Sequence, residues 1–363
     1  MHLFENKRRF YLYSAYFAKM QSQASFKEFI PAFSQKLSAI ISSDLFIEDY
    51  CKRYLDHLLL HQRYYLTIYA HVLDEARKHM LQMPSQVNLV DFGAGNGLLG
   101  MFAKFCGFQK VFLCDVDADF MNAAKLLSQS ANIVIDGFIT GDMETLQQVL
   151  QNEKVDVMAG TDVIEHIYNL DDFFAGVKNM NTNMVTVFTT ASNPGNFIKV
   201  KKLKKIQRSD ETVGGDPADF VLAGSQKHEA FVVMREKIIV AAFPAMAAAT
   251  AKRLATLTRG LRENDIITAV GHYINTNELP ELRASGTNTC HPITGSWTER
   301  ILPIDAYKNI YEKQGFLLEV HNGFYNAYSN GPKKYFNFFM NFLVRLTGKI
   351  AAPFITLVGY KYR

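Results

Sequence analysis

The chain has 363 residues, of which 48% are apolar and 20% are charged, and its formal net charge is +4. This is the composition of an ordinary globular protein and not of a disordered or fibrous one. The mild net charge argues against a nucleic-acid-binding protein, because such proteins concentrate basic residues on one face. The length predicts one large domain, or a core with added helical parts.

The residues before the first predicted strand form a helical N-terminal extension, residues 1–84. In the stretch LLLHQRYYLTIYAHVLDEARKHM the apolar residues recur every three or four positions, which is typical of a helix. The first twenty residues lack the layout of a secretory signal. No stretch reaches the about 20 apolar residues that span a membrane. We therefore expect a cytoplasmic protein.

From residue 85, predicted strands and helices alternate. The predicted strands are residues 87–92, 111–114, 133–139, 155–159 and 184–189, and the predicted helices are residues 98–105, 120–128, 144–151 and 170–180. Such alternation predicts a parallel sheet with helices on both faces. The pattern breaks over residues 195–302 and returns with a helix at 304–313 and strands at 316–321 and 354–362. Ligands bind at the carboxyl ends of such strands.

The four cysteines contain no Cys-x-x-Cys pair, which argues against a zinc knuckle or a disulfide framework. They are Cys51, Cys106, Cys114 and Cys290. Cys106 and Cys114 lie in predicted core elements, where cysteine behaves as a small hydrophobic residue.

A glycine-rich loop, in VDFGAGNGLLG, follows the first predicted strand. Its glycines allow two interpretations. Gly95-x-Gly97-x-x-Gly100 is the spacing of a dinucleotide-binding loop. The alternative is an acidic residue at the strand end, Asp91, followed by Gly93, Gly95 and Gly97. The loop alone does not decide between them.

Each of the first four predicted strands brings a carboxylate to the same edge of the sheet. After Asp91, the strand ends carry Asp115, then Asp142, then Asp162 with Glu165. Several carboxylates would repel a pyrophosphate, which needs an anion site at a helix N-terminus. They suit a nucleoside that carries positive charge and a ribose diol, and S-adenosylmethionine is such a molecule.

The motifs VDFGAGNG, CDVD, TGDM and TDVIEHI, in this order and spacing, resemble those of class I S-adenosylmethionine-dependent methyltransferases. The branch that contains the ubiquinone-biosynthesis O-methyltransferases is the most similar. The resemblance implies an α/β, Rossmann-like fold with a seven-stranded, mostly parallel sheet, helices on both faces and an antiparallel last strand. It divides the chain into the N-terminal extension at 1–84, a cofactor-binding core at 85–194, an insertion after the fifth strand at 195–302 that we expect to bind substrate, and the completion of the sheet at 303–363.

The same resemblance implies S-adenosylmethionine as cofactor and a role for each motif residue. Its methionine portion would lie against Asp91, Gly93, Gly95 and Gly97, its ribose against Asp115, its adenine against Asp142 and Met143, and its sulfonium near Thr161 and Asp162. Simpler interpretations remain open. Asp115 and Asp142 are residue types that cap helices, and a methionine often fills a core.

His166 is predicted to be a general base, because imidazole is the side chain best suited to proton transfer near neutral pH. The related ubiquinone enzymes hold a divalent cation with an acidic-x-x-Glu-His cluster, here Asp162, Glu165 and His166 within one helical turn. This chain has the shorter Asp at the first position, and we do not predict a metal. A structural role for His166 is the third interpretation.

The predicted activity is methyl transfer from S-adenosylmethionine to a small-molecule acceptor, through a hydroxyl. The alternatives are a nucleic-acid methyltransferase, a nicotinamide-dependent oxidoreductase and a non-catalytic scaffold. No nucleic-acid partner is expected.

Three stretches combine basic and aromatic or apolar residues, which is typical of proteins that touch a membrane surface. They are the N-terminal twenty residues, the run KVKKLKKIQR at 199–208 and the run PKKYFNFFMNFLVRL at 332–346. We therefore expect peripheral membrane contact or an amphipathic, lipid-linked acceptor. The alternative is that these aromatics pack in an enlarged core or a dimer interface.

Overall fold

The computed structural model describes residues 25–38, 40, 45–214 and 228–361. A seven-stranded sheet forms its centre, in the order β3-β2-β1-β4-β5-β7-β6. The strands are β1 (Asn88–Phe92), β2 (Lys110–Asp115), β3 (Gly137–Thr140), β4 (Val157–Thr161), β5 (Val185–Thr190), β6 (Leu317–Asn322) and β7 (Ile355–Tyr360). The first five strands are parallel, and β7 lies antiparallel between β5 and β6. This confirms the predicted fold class.

Helices cover both faces of the sheet because alternate strand residues point to opposite sides. The helices of the described residues are α1 (Ile30–Ser38), α2 (Asp49–Leu60), α3 (Gln62–His79), α4 (Leu98–Phe105), α5 (Ala118–Ser130), α6 (Met143–Val149), α7 (Leu170–Met180), α8 (Phe197–Thr212), α9 (Phe231–Ala242), α10 (Ala248–Leu257), α11 (Glu263–Thr276), α12 (Ile304–Lys313) and α13 (Pro332–Thr347). One face packs against α1 to α5, and the other against α6, α7 and α12.

The N-terminal extension shares the core of the sheet, although its first 24 residues lie outside the described part. Phe33 of α1 packs on Phe102 of α4, with ring centroids 5.3 Å apart. Leu73 of α3 lies in the same buried cluster as Val187 of β5. The extension is therefore part of the central hydrophobic core.

The insertion between β5 and α12 forms a small helical layer with its own core. Ile239, Leu254 and Ile266 come from α9, α10 and α11 and are fully buried together. The fully buried Arg235 of α9 forms an ion pair with Glu211 of α8 and donates from Nε to the carbonyl of Ala255 at 2.7 Å. A buried charge pair thus joins the first helix of the insertion to the next two.

The third strand is shorter than its apolar sequence suggests. The sequence predicts strand over residues 133–136, but β3 begins at Gly137. Ile133 donates its N–H to the carbonyl of Ser128, which closes the end of α5, and the Asp136 carboxylate accepts the N–H of Val111 at 2.8 Å. Because these backbone and side-chain groups already form hydrogen bonds in the segment between α5 and β3, residues 133–136 do not pair as strand and β3 begins only at Gly137.

The buried His71 of α3 should make stability depend on pH. Burial lowers the pKa of His71 from 6.5 to about 4, against the opposing effect of Glu75. Its ring nitrogens face the Thr356 hydroxyl at 3.1 Å and the Glu75 carboxylate at 3.6 Å. A histidine with a lowered pKa stabilises the fold above pH 6.5, and this stability is lost as the pH falls towards 4. Between pH 7 and pH 5 we expect His71 to cost about 1–2 kcal/mol.

Chemical unfolding of wild type and His71→Gln at both pH values measures this cost. The variant should lose less stability than wild type on acidification. The control is His272→Gln, which removes a histidine whose side chain is 60% exposed. Equal pH dependence in wild type and His71→Gln would contradict the assignment.

Candidate functional site

The glycine loop joins β1 to α4 at the carboxyl edge of the sheet. Gly93, Gly95 and Gly97 have φ angles of 68°, 52° and 75°, all in the left-handed region. Gly93 also donates its N–H to the carbonyl of Cys114 at the end of β2, at 2.8 Å. A Cβ on Gly93 would lie 2.3 Å from a methyl group of Val163. Only glycine fits there.

The buried carboxylate of Asp91 binds the helix that follows the loop. Its side chain is 1% exposed, and its Oδ2 accepts the N–H of Gly100 in the first turn of α4 at 2.8 Å. Burial raises the pKa of Asp91 to about 7. Gly100 lies against Leu113 of β2, where a Cβ would be 2.2 Å from the leucine side chain. The structure thus uses Gly100 for close helix–strand packing, and the predicted contact of Asp91 with methionine stays a prediction.

Asp115 ties the end of β2 to the glycine loop. Its Oδ2 accepts the N–H of Gly95 at 2.9 Å, and its Oδ1 accepts the N–H of Asp117 at 3.0 Å. Burial raises the pKa of Asp115. The cap of α5 is Asp117, whose side chain accepts the N–H of Asp119, so the helix-cap interpretation of Asp115 is wrong. Each Asp115 oxygen keeps a second lone pair that could accept a hydroxyl.

The space beside Gly95 is bounded by aromatic residues that the sequence analysis did not identify. A Cβ on Gly95 would have Tyr54 of α2 at 3.6 Å and Phe120 of α5 at 4.0 Å as its nearest neighbours. The two rings contact each other edge to face, with centroids 5.7 Å apart. Asn96 of the loop donates to the carbonyl of Cys51 at 3.0 Å. Helix α2 of the extension therefore lies over the loop.

Asp142 and Met143 follow β3 at the same edge. The Asp142 carboxylate accepts the N–H groups of Glu144 and Thr145, both at 3.1 Å, and so caps α6. Met143 is 8% exposed and packs against α7, where a Cβ on Gly176 would be 2.4 Å from the methionine Cγ. The structure gives both residues local structural contacts, and their predicted contacts with adenine remain untested.

The end of β4 places Asp162 beside the loop after β5. Thr161 pairs with Thr189 of β5. Asp162 has a φ of 51°, and its Oδ1 accepts the N–H of Ala191 at 3.1 Å. Its side chain reaches solvent. Desolvation by the surrounding protein is the largest cause, and the charge of Glu299 the next, of a rise in the pKa of Asp162 to about 6. A carboxyl group in this range can exchange protons near neutral pH.

Glu299 enters the site from the insertion. Its carboxylate accepts the Ser192 hydroxyl at 2.9 Å, and its φ is 45°. Glu165 lies nearby with 1% exposure, and the Thr190 side chain is the hydrogen-bonding group that affects its carboxyl. Burial raises the pKa of Glu165, and the charges of Asp162 and Glu299 raise it further. This favours its protonated form.

His166 connects β4 to the loop that carries the only tryptophan. Its Nδ1 lies 2.7 Å from the Trp297 carbonyl, and its own carbonyl accepts the Trp297 N–H at 3.1 Å. A carbonyl only accepts, so Nδ1 carries a hydrogen, and in the neutral ring Nε2 then presents a lone pair. The prediction that Asp162, Glu165 and His166 share a helical turn is wrong, because this segment is a turn and α7 begins at Leu170. Across the described ranges, no three His, Cys, Asp or Glu side chains form a metal-binding group.

The strand order, with helices on both faces and a glycine loop at the carboxyl edge, is that of a Rossmann-like α/β fold. Residues 90–182 match the family model of the methyltransferase domain. The match begins within β1, ends just after α7 and covers about a quarter of the chain, so this part of the chain is similar to a methyltransferase domain. A search of curated proteins finds no match.

The solved structures that match parts of this chain have low sequence identity to it. TehB from Haemophilus influenzae has 17% identity and a TM-score of 0.29, over 37% of this chain and 44% of that one. Precorrin-6y C5,15-methyltransferase from Geobacter metallireducens has 11% identity and a TM-score of 0.30, over 39% and 71%. Coclaurine N-methyltransferase, bound to N-methylheliamine and SAH, has 13% identity and a TM-score of 0.29, over 34% and 35%. The chain thus spans less than half of the first and third of these structures.

Proposed function

We propose that this protein transfers the methyl group of S-adenosylmethionine to a hydroxyl of a small-molecule acceptor, as the ubiquinone-type O-methyltransferases do. The observation that carries the proposal is the space beside Gly95. There the Asp115 carboxylate accepts the Gly95 N–H, and Tyr54 and Phe120 lie 3.6 and 4.0 Å from where a Cβ would be. This environment suits a ribose with an attached nucleobase.

Residues of three strand ends would hold the cofactor. Asp115 would accept the ribose hydroxyls, Asp142 the adenine amino group, and the loop from Gly93 to Gly97 would lie against the methionine portion. S-adenosylmethionine supplies an electrophilic methyl group. The protein's main contribution is to hold the two reactants in line, which is worth several kcal/mol of the barrier.

Nε2 of His166 would accept the proton of the acceptor hydroxyl. The Nδ1–H bond to Trp297 fixes the tautomer that makes Nε2 a base, and Asp162 is near enough for the two charges to interact. The loop that holds His166 in place belongs to the insertion, together with Glu299. We propose that this part of the insertion selects the acceptor.

Replacing Asp115 should weaken cofactor binding without unfolding the protein. Asp115→Ala removes a charged acceptor, and such hydrogen bonds contribute about 1.5–3 kcal/mol, or roughly 10- to 150-fold in affinity. Isothermal titration with S-adenosylmethionine measures the change. Asp119→Asn, in the first turn of α5, is the matched control and should bind normally. Unchanged affinity in Asp115→Ala would contradict the ribose role.

Two measurements separate the proposed reaction from its alternatives. Titration with NAD distinguishes a nicotinamide enzyme, which should bind NAD and not S-adenosylmethionine. Mass spectrometry after incubation with labelled S-adenosylmethionine and a metabolite extract identifies the methylated acceptor. Label on nucleic acid would favour the nucleic-acid methyltransferase. Cofactor binding without any labelled product would favour a scaffold.

A further inference from the structure

Helix α13 turns its aromatic side chains outward. Five exposed apolar residues lie along one side of it at helical spacing, and we call them the aromatic stripe: Tyr335, Phe338, Phe339, Phe342 and Leu346. Their side chains are 77%, 77%, 54%, 51% and 66% exposed. Residues spaced by three, four and seven positions share a helix face. An exposed apolar patch of this kind marks an interaction site.

The opposite side of α13, which faces the protein, combines two asparagines with Val344, which is 7% exposed and packs with Ala351 and Ala352. Asn337 is 5% exposed and donates to the Asn326 carbonyl at 2.9 Å and to the Ser329 hydroxyl at 2.8 Å. Asn341 bonds both the N–H and the carbonyl of Tyr325, at 2.7 and 3.0 Å. These paired amides fasten the helix with its aromatic stripe outward. The helix therefore leaves most of its aromatic side chains in contact with solvent.

The charge around the stripe is positive. Residues 320–350 contain no Asp or Glu and have four Lys and Arg residues, which are Lys333, Lys334, Arg345 and Lys349. Lys333 and Lys334 lie in the exposed first turn of α13, and Arg345 is exposed near its end. A surface that accepts both the rings and these cations must be apolar with an anionic boundary.

The end of α13 meets the beginning of α8. Asn193 donates to the carbonyl of Lys349 at 2.7 Å, and Asn196 donates to that of Ala352 at 3.1 Å. The first turn of α8 exposes Phe197 and Ile198, followed by exposed lysines that include Lys201, Lys202, Lys204 and Lys205. The same loop after β5 carries Ala191, which bonds Asp162. The basic and aromatic surface thus borders the edge that holds the candidate site.

We infer that α13 and the start of α8 bind an anionic lipid membrane, with the aromatic stripe at the level of the headgroups. Charge decides among the occupants. A second copy would place Lys333, Lys334 and Arg345 against their own counterparts. Residues 1–24 of the same chain contain Glu5 but four Lys and Arg residues, so they would also be repelled. An anionic bilayer satisfies both the rings and the cations. None of the described helices is long and apolar enough to cross a membrane, so the contact is with the surface.

Sedimentation of the full-length protein with vesicles tests this inference. We expect binding to phosphatidylcholine–phosphatidylserine vesicles at low salt, weaker binding at high salt, and little binding to phosphatidylcholine alone. Phe338→Ser combined with Phe342→Ser should reduce the affinity for the mixed vesicles by about tenfold or more, since several CH2 equivalents leave the interface. Phe46→Ser removes a 98% exposed aromatic elsewhere and should change nothing. Lys333→Glu with Lys334→Glu should weaken binding similarly, and Lys308→Glu on α12 should have a smaller effect.

A fluorescence measurement checks the depth of the contact. Trp297 is the only tryptophan and is 1% exposed, so a Phe338→Trp variant adds one reporter on the stripe. Its emission should shift to the blue with anionic vesicles, whereas that of Phe46→Trp should not.

The inference would be overturned if all of the protein stayed in the supernatant at low salt, or if wild type and the stripe variant bound vesicles equally. A dimer that becomes a monomer in the stripe variant, measured by light scattering, would also overturn it. Loss of the vesicle binding on removal of residues 1–24, with no effect of the stripe variant, would place the contact elsewhere. Vesicle binding needs no methyl transfer, and cofactor titration of the same variants reports separately on the proposed reaction.

Discussion

Gly95→Ala should weaken S-adenosylmethionine binding by about 10- to 100-fold, because overfilling a well-packed contact costs about 1–3 kcal/mol. The apoprotein has room for the added methyl group, whose nearest neighbour would be Tyr54 at 3.6 Å. The loss of affinity would therefore come mainly from a clash between the added methyl group and a ligand that approaches the loop. The positive φ of 52° adds strain of about 1–2 kcal/mol to the folded state.

Gly107→Ala is the matched control for this strain. Gly107 also has a positive φ, 94°, and a Cβ added to it would meet no atom of the described residues within 4 Å, but it follows the far end of α4. Both variants should lose similar unfolding free energy in denaturant titrations, and only Gly95→Ala should lose cofactor affinity in calorimetry. Normal binding by a folded Gly95→Ala protein would show that the loop is not the cofactor site.

Arg235→Met should destabilise the insertion by about 3–5 kcal/mol, the cost of leaving one partner of a buried ion pair alone. Glu211 is 7% exposed, and without Arg235 its carboxylate would keep the hydrogen bond from the Thr289 hydroxyl, at 2.7 Å. Because this pair joins α8 to α9 and the Ala255 carbonyl of α10, hydrogen exchange should accelerate across these helices. The strands of the central sheet should remain protected.

A double-mutant cycle distinguishes the ion pair from simple packing. Arg235→Met with Glu211→Leu removes both charges and should be more stable than Arg235→Met alone. If the two substitutions instead add their separate costs, the destabilisation comes from lost packing and not from an unpaired carboxylate.

Much of the sheet could be predicted because its signals are local. Apolar runs, glycines and helix periodicity lie within a few residues of one another, so they identify the strands and most helices with small errors at the ends. The strand predicted at 133–139 is too long, since the bonds of Ile133 and Asp136 depend on groups in α5 and β2. The helical turn predicted after β4 is wrong for a similar reason, because His166 is held by Trp297, 131 residues away.

The sequence by itself determined that four successive strands end in carboxylates. Because parallel strands bring their carboxyl ends to one edge, it also determined that these carboxylates lie along the same edge. Only the tertiary structure placed Tyr54 of the N-terminal extension beside Gly95 and Glu299 of the insertion near Asp162. Contacts between distant segments follow from packing and not from local pattern. The same holds for α13, where periodicity shows which residues share a face. The Asn337 and Asn341 hydrogen bonds decide that the aromatic face points outward.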